Sequence, residues 1–308
     1  MRPSPPDETQ HCNPGVQGSK PPVVIVGCGT VGTALGRLLA ASGYPIEGVI
    51  TRSPSTARRA AARVGARAFS DRPTPLCRQG AVVFITTPDD AIKKTCDDIA
   101  AHAGFQRETV VIHCSGALSS EVLASARGCH ALVASLHPLQ SFASAEQAER
   151  ILPGSYCTIE GDVSALGVVS RLVKDLGGIA VEIKPEAKAL YHAAAVVASN
   201  YLVTLLDIAL TLNRLAGIAP EAAFEALLPL IQGTLQNIHS SGIPQALTGP
   251  IARGDIQTVA GHLEAMSKQA PDVLAIYKSL GCRTVTLARA KGTLGDRAAR
   301  ELLNLLGC

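Results

Sequence analysis

Residues 23–32 read Val-Val-Ile-Val-Gly-Cys-Gly-Thr-Val-Gly, a β-branched run that ends in G-x-G-x-x-G. Few local patterns restrict a fold as tightly. Gly27 permits the tight turn that leaves the strand, Gly29 lets an anion approach the backbone, and Gly32 lets the next helix pack on the strand. Ala34, Leu35, Leu38 and Leu39 give that helix an apolar face, which is the context the motif needs. Its unpaired N–H groups and positive dipole end would point at phosphates. Gly27, Gly29, Thr30, Val31 and Gly32 are therefore the expected cradle of a dinucleotide.

Further along, short apolar runs alternate with helical patterns. Strands are expected over Ile46–Ile50, Ala81–Thr86, Val110–His113 and Ala131–Leu136, with two edge-region strands at Tyr156–Ile159 and Ile179–Ile183. Helices are expected between them, over Ser55–Val64, Asp90–His102, Ser119–Ala126 and Ser164–Leu176. Apolar strands alternating with helices imply a parallel sheet covered on both faces, doubly wound by right-handed crossovers. Beyond Lys184-Pro185 the strand signals stop. Residues 186–212 read as one long helix, followed by helical stretches at 220–240, 255–268, 271–280 and 294–306. The spacing thus predicts a polar tail over 1–20, a dinucleotide-binding domain over 21–184 and an all-helical domain over 185–308, which would serve substrate binding and dimerisation.

At 308 residues, with 47% hydrophobic and 17% charged content, the chain has enough apolar material for two cores. A net charge of +3, with no Trp and 3% aromatics, argues against a nucleic-acid interface, which needs clustered cations and stacking platforms. Nine cysteines show no C-x-x-C pair, so no metal site is expected. Cys28, Cys114 and Cys157 lie in apolar runs, where thiols act as small hydrophobes in a reducing cytoplasm. Ala189–Leu212 is apolar enough to raise a membrane span, but it carries His192, Asn200 and Asp207. It is read as a core or dimer-interface helix.

The end of the second strand carries Thr51-Arg52-Ser53 rather than an acid. Arg52 and Ser53 would bind a ribose 2′-phosphate, which points to NADP(H) over NAD(H). Thr86, Thr87 and Ser115 follow strands at the carboxyl edge of the sheet, where they would line the nicotinamide half of the groove. Ordinary strand-end turn chemistry is the competing account of these residues. His137, also after a strand, is a candidate proton donor, although a lone histidine is often structural. Lys188, His192 and Asn200 fall at i, i+4 and i+12, close to one face of a helix. Lys188 would donate a proton or polarise a carbonyl while His192 and Asn200 orient the substrate. Otherwise Lys188 belongs to an exposed first turn and the other two bond neighbouring helices. Arg253, in Thr248–Asp255, would anchor a substrate carboxylate or lie free on the surface; Asp255 is a good N-cap.

Four motifs in order, G-C-G-T-V-G with a following R-S, H-P-L-Q-S-F, K-A-L-Y-H-A-A-A-V-V-A-S-N-Y and L-T-G-P-I-A-R-G-D, resemble those of Rossmann-like proteins with a C-terminal domain of unknown function 2520. The resemblance covers nearly everything after residue 20. It implies an α/β fold, a Rossmann-type doubly wound parallel sheet followed by an all-α 6-phosphogluconate dehydrogenase-like C-terminal domain. That wider group includes pyrroline-5-carboxylate, ketopantoate and 3-hydroxyisobutyrate oxidoreductases and prephenate dehydrogenase. In the ketopantoate and hydroxyisobutyrate enzymes a catalytic Lys precedes an Asn by four residues; Lys188 matches the Lys, and His192 stands where the Asn would be. The His137-Pro138 step is similar to the catalytic one of prephenate dehydrogenases.

The expected function is an NADP-dependent reductase of a small carboxylate-bearing C=O or C=N compound, with ketopantoate a first candidate by analogy. A cytoplasmic homodimer is expected, without nucleic acid or membrane. The competing classes are a non-catalytic NADP(H)-binding regulator and a membrane-associated protein using residues 189–212.

Overall fold

A computed structural model describes residues 19–308. The polar tail expected over 1–20 falls outside them, apart from its last two residues. Among the described residues, eight strands form one sheet in the order β3-β2-β1-β4-β5-β6-β7-β8. The strands are β1 (Val23–Val26), β2 (Ile46–Ile50), β3 (Ala68–Ser70), β4 (Val82–Ile85), β5 (Val110–His113), β6 (Leu132–Pro138), β7 (Tyr156–Gly161) and β8 (Ile179–Glu182).

The sheet forms because its strands are apolar on both sides. Val23 and Ile25 of β1 join one buried cluster with Val82, Phe84, Val110, Ile112, Ala134 and Leu136. Val24 and Val26 join another with Val83, Ile85, Val111 and Val133. Successive side chains on a strand point to opposite faces, so each strand needs helices above and below. Helix α1 (Thr30–Ala41) contributes Leu35 and Leu39 to the first cluster, and the helix Asp89–Ala101 contributes Ile92, Cys96 and Ile99 to the second.

Pairing from β3 through β6 is parallel, but β7 runs antiparallel to β6 and β8 runs parallel to β7. The sheet is mixed on that side, a correction to the uniformly parallel expectation. A short connection through the helix Ala145–Ile151 returns the chain beside β6 with the direction reversed, as an antiparallel neighbour permits.

The described residues divide into two compact units, on either side of the Ser199–Asn200 step. The division falls after Ser199 rather than at Lys184-Pro185, because the helix Lys188–Ala198 is tied to the sheet by its first residue. The single helix expected over 186–212 is also interrupted. A 3-10 turn at Pro185–Ala187 leads into Lys188–Ala198, and a turn at Ser199 (φ −117°, ψ −65°) separates it from Asn200–Leu215. In the second unit, Val259, Leu263, Val285, Ala288, Leu302 and Leu306 form the core, drawn from the helices Ile256–Gln269, Pro271–Lys291 and Asp296–Leu306. Cys282 and Cys308 are joined there as a disulfide, while Cys28, Cys114 and Cys157 are free thiols.

Candidate active site

The glycine loop takes the shape its sequence requires. Gly27 has φ +90°, and a Cβ there would stand 2.8 Å from the Thr86 and Thr87 backbone. A Cβ on Gly32 would stand 2.5 Å from the Gly27 carbonyl oxygen. By contrast, a Cβ on Gly29 would meet nothing within 4 Å, so the loop opens outward at that residue alone. Gly29 is the N-cap of α1, with no side-chain cap and no acidic residue in the first turn. Unpaired N–H groups beside an open, uncharged cradle suit a pyrophosphate. Thr30 and Val31 begin α1, and Thr86 holds the loop from β4 by donating its hydroxyl to the Gly27 carbonyl at 2.6 Å. The Thr87 hydroxyl is buried without a protein partner.

At the end of β2, Arg52 is exposed. Ser53 caps the helix Pro54–Val64 by accepting from the Thr56 N–H at 3.4 Å, and the Thr56 hydroxyl lies 2.9 Å from the Ser53 hydroxyl. A hydroxyl cluster beside an exposed guanidinium has the chemistry of a phosphate subsite.

The strand ends of β5 and β6 carry a denser group. Lys188 is 1% exposed, which overturns the reading of it as a surface residue of the first turn. Its Nζ donates to the Ser115 carbonyl and to Ser135 Oγ, both at 2.7 Å. Burial pushes its pKa down to about 8, opposed by the negative charges of Glu160 and Asp89. The Ser115 hydroxyl is engaged within the protein. That hydroxyl donates to Asp89 Oδ2 at 2.6 Å and accepts from the N–H groups of Ala117 and Leu118. The Ser115 N–H donates to Nδ1 of the fully buried His113 at 3.1 Å, and His113 Nε2 has no partner within bonding geometry. Burial, and then the Lys188 charge, push His113 down to about 4.

His137, near the end of β6, is half-buried, and its Nδ1 lies 2.9 Å from the Tyr191 hydroxyl. Burial first, with help from Lys188 and His192, lowers its pKa to about 4, so it is a neutral imidazole at pH 7. His192, one turn after Lys188, stands edge-on to His137 with ring centroids 5.9 Å apart. The structure therefore gathers Lys188, His137 and His192 around the Ser115–Gly116 turn, next to the strand that bears the glycine loop's Thr86 anchor.

Asn200 and Arg253 lie in the second unit. Asn200 is exposed at the start of Asn200–Leu215. Arg253 is exposed at the end of a short helix, Pro250–Arg253. Asp255 caps the next helix as expected, accepting from the Thr258 N–H at 3.1 Å.

Sequence reasoning missed Ser135, Tyr191 and Asp89. Ser135 had a signal, being a hydroxyl inside the otherwise apolar run Ala131–Leu136, where a buried polar group needs a partner.

No curated protein matches the chain in sequence. Among solved structures, a candidate NADP oxidoreductase of Bacteroides fragilis is 22% identical over 89% of this chain and 98% of its own, with a TM-score of 0.68. A Thermotoga maritima protein is 27% identical over 92% and 98%, with a TM-score of 0.66. The Plasmodium falciparum pyrroline carboxylate reductase, solved with NADP bound, is 14% identical over 93% and 98%, with a TM-score of 0.55. Residues 5–138 match the Rossmann-like domain and residues 155–284 the domain of unknown function 2520. The chain thus carries a Rossmann-like domain followed by the domain of unknown function 2520.

Proposed function

We propose that this protein is an NADP(H)-dependent oxidoreductase that reduces a small, carboxylate-bearing C=O or C=N compound. The observation that carries the reading is the Lys188 cation, buried at the carboxyl edge of β5 and β6 beside a neutral His137. That edge is where open α/β sheets bind ligands. The fold shared with an NADP-bound pyrroline carboxylate reductase supports the choice of chemistry.

Gly27, Gly29, Thr30, Val31 and Gly32 would hold the pyrophosphate, Arg52 and Ser53 the 2′-phosphate, and Thr86 and Thr87 the nicotinamide half. When bound, the reduced cofactor supplies a hydride. The protein then has to orient the acceptor and supply a proton. Lys188 uses two of its three N–H donors on the Ser115 carbonyl and the Ser135 hydroxyl and places a positive charge where negative charge develops on the substrate. Lys188 Nζ and His137 Nε2 are the candidate proton positions.

Leu190, Val197, Tyr201 and Val203 leave 56–79% of their surface exposed, and residues 185–215 form the one stretch, among the described residues, long and apolar enough to cross a membrane. His192, Asn200 and Asp207 interrupt it. A second copy of the chain in the cytoplasm is the proposed cover, since an apolar face of this size seeks a protein partner.

Calorimetry with NADPH and NADH tests the cofactor, and NADPH consumption against small keto acids and imines, ketopantoate included, tests the reaction. Saturable NADPH binding with a clear preference over NADH, and turnover on at least one acid, is expected. Equal affinity for both coenzymes would remove the role given to Arg52 and Ser53.

A further inference from the structure

Gly116 occupies the point on which two imidazoles converge. A Cβ built on it would stand 2.5 Å from His192 Nδ1 and 2.8 Å from His137 Nε2. Any side chain here would wedge between the rings, so glycine is what allows both nitrogens to approach the same place. His192 Nδ1 is buried and has no hydrogen-bond partner. An unpaired buried nitrogen costs free energy unless something completes it. Tyr191 engages the far nitrogen of His137, Nδ1, at 2.9 Å. A phenol is the better donor and a neutral imidazole the better acceptor, so Tyr191 O–H donates to Nδ1 and the ring proton resides on Nε2. His137 thereby presents an N–H on the side facing Gly116 and His192.

We propose that His137 Nε2 and His192 Nδ1 form a two-imidazole clamp on a single ligand oxygen, with Gly116 as the residue whose missing side chain lets the two rings close and Tyr191 as the positioning residue that sets the His137 tautomer. The oxygen is the carbonyl oxygen of the substrate. The assignment rests on the oxidoreductase reading and narrows its substrate from C=O or C=N to a carbonyl compound, because an N–H donor aimed into the clamp suits an oxygen acceptor and repels a protonated imine. In this arrangement His192 is more than a replacement for an amide side chain: it supplies the second contact to the same atom.

The probe is oxamate, which carries a carboxylate and a carbonyl but does not accept hydride. The full chain labelled with ¹⁵N-histidine is titrated with NADPH and, separately and together with it, with oxamate. Nε2 of His137 and Nδ1 of His192 are both expected to shift with oxamate. Gly116→Ala is expected to weaken oxamate on the order of tenfold, as loss of a good hydrogen bond does, with NADPH affinity within about twofold of the native value. Tyr191→Phe is expected to mix the two tautomers of His137, read as convergence of its Nδ1 and Nε2 shifts, and to leave the His192 shifts in place. A general loosening of the fold would move both rings. Oxamate that binds Gly116→Ala as well as the native chain, or that shifts one ring nitrogen or neither in the native chain, overturns the clamp. Failure of NADPH to bind brings down the oxidoreductase reading instead, and the ring-nitrogen shifts still decide the clamp in that case. The native-chain spectra keep the test valid if Gly116→Ala does not fold.

Discussion

Lys188 keeps a positive charge where solvent hardly reaches it, and a buried ammonium is tolerated only with partners. Lys188→Ala should lower turnover at least about a hundredfold, the usual scale for losing a positioned charge or proton donor, with NADPH affinity unchanged in calorimetry. Turnover carried by the ammonium should also fall as pH rises through about 8, where Lys188 loses its proton. A rate that stays flat into the alkaline range would take the proton position away from Nζ. His113 works at the opposite end of the scale. Unfolded, it takes a proton near 6.5; folded, it resists protonation until about 4. Its pKa is depressed by folding, so the unfolded chain binds more protons as pH falls. Stability is therefore complete above 6.5 and declines toward 4, by roughly 3 kcal/mol for a shift of this size in a fully buried group. Thermal unfolding midpoints measured from neutral pH downward should show this acid limb, and His113→Gln, which retains an acceptor for the Ser115 N–H, should flatten it. His137, shifted in the same direction, adds to the limb. Lys188 and His137 could be picked out from the sequence as candidates. Their protonation could not, because both shifts arise first from burial, and that of His137 also from the Lys188 charge.

Two glycines of one loop separate binding from folding at the level of the β1–α1 element. Gly29→Ala puts a methyl into open space, so the unfolding midpoint should change little, within about 1 kcal/mol for a residue at a helix N-cap, while the methyl obstructs the phosphate and NADPH affinity falls. Gly32→Ala pushes a methyl against the Gly27 carbonyl, and the clash should appear as lost stability of about 1–3 kcal/mol, the range for overpacking a tight site. Chemical denaturation alongside NADPH titration distinguishes the two, and equal stability losses would contradict the geometry. The long apolar strands were legible because their β-branched runs leave no polar face. β3 was not, since Ala68–Ser70 spans three residues and Phe69 is 43% exposed. The break at Ser199 was equally hidden, because Ala195–Ala198 before it and Tyr201–Leu206 after it read as continuous helix.

The helical span from 185 to 215 contains an 18-residue window of mean hydropathy 1.8, none of which is buried among the described residues. Sedimentation or light scattering of the purified protein should give the mass of two chains in water. Val203→Glu, a charge placed on a side chain that is 68% exposed in one chain, should shift that mass toward a single chain. Recovery of the native protein with membranes, or a single-chain mass in both forms, would reject the second copy as the cover.

Strand-loop-helix geometry around Gly27–Gly32, the two-sided apolar strands and the end of strand signals beyond Pro185 all follow from local composition. Each depends on neighbours a few residues away, and periodicity records such neighbours. The lysine's partners do not follow in that way. Ser115 and Ser135 lie 73 and 53 residues before Lys188, and only the packing of β5 against β6 brings a serine carbonyl and a serine hydroxyl to one ammonium. The reversal of β7, the Cys282–Cys308 pairing and the convergence of two imidazoles on Gly116 have the same origin. They are contacts between distant segments, selected by shape and burial once the chain has closed on itself.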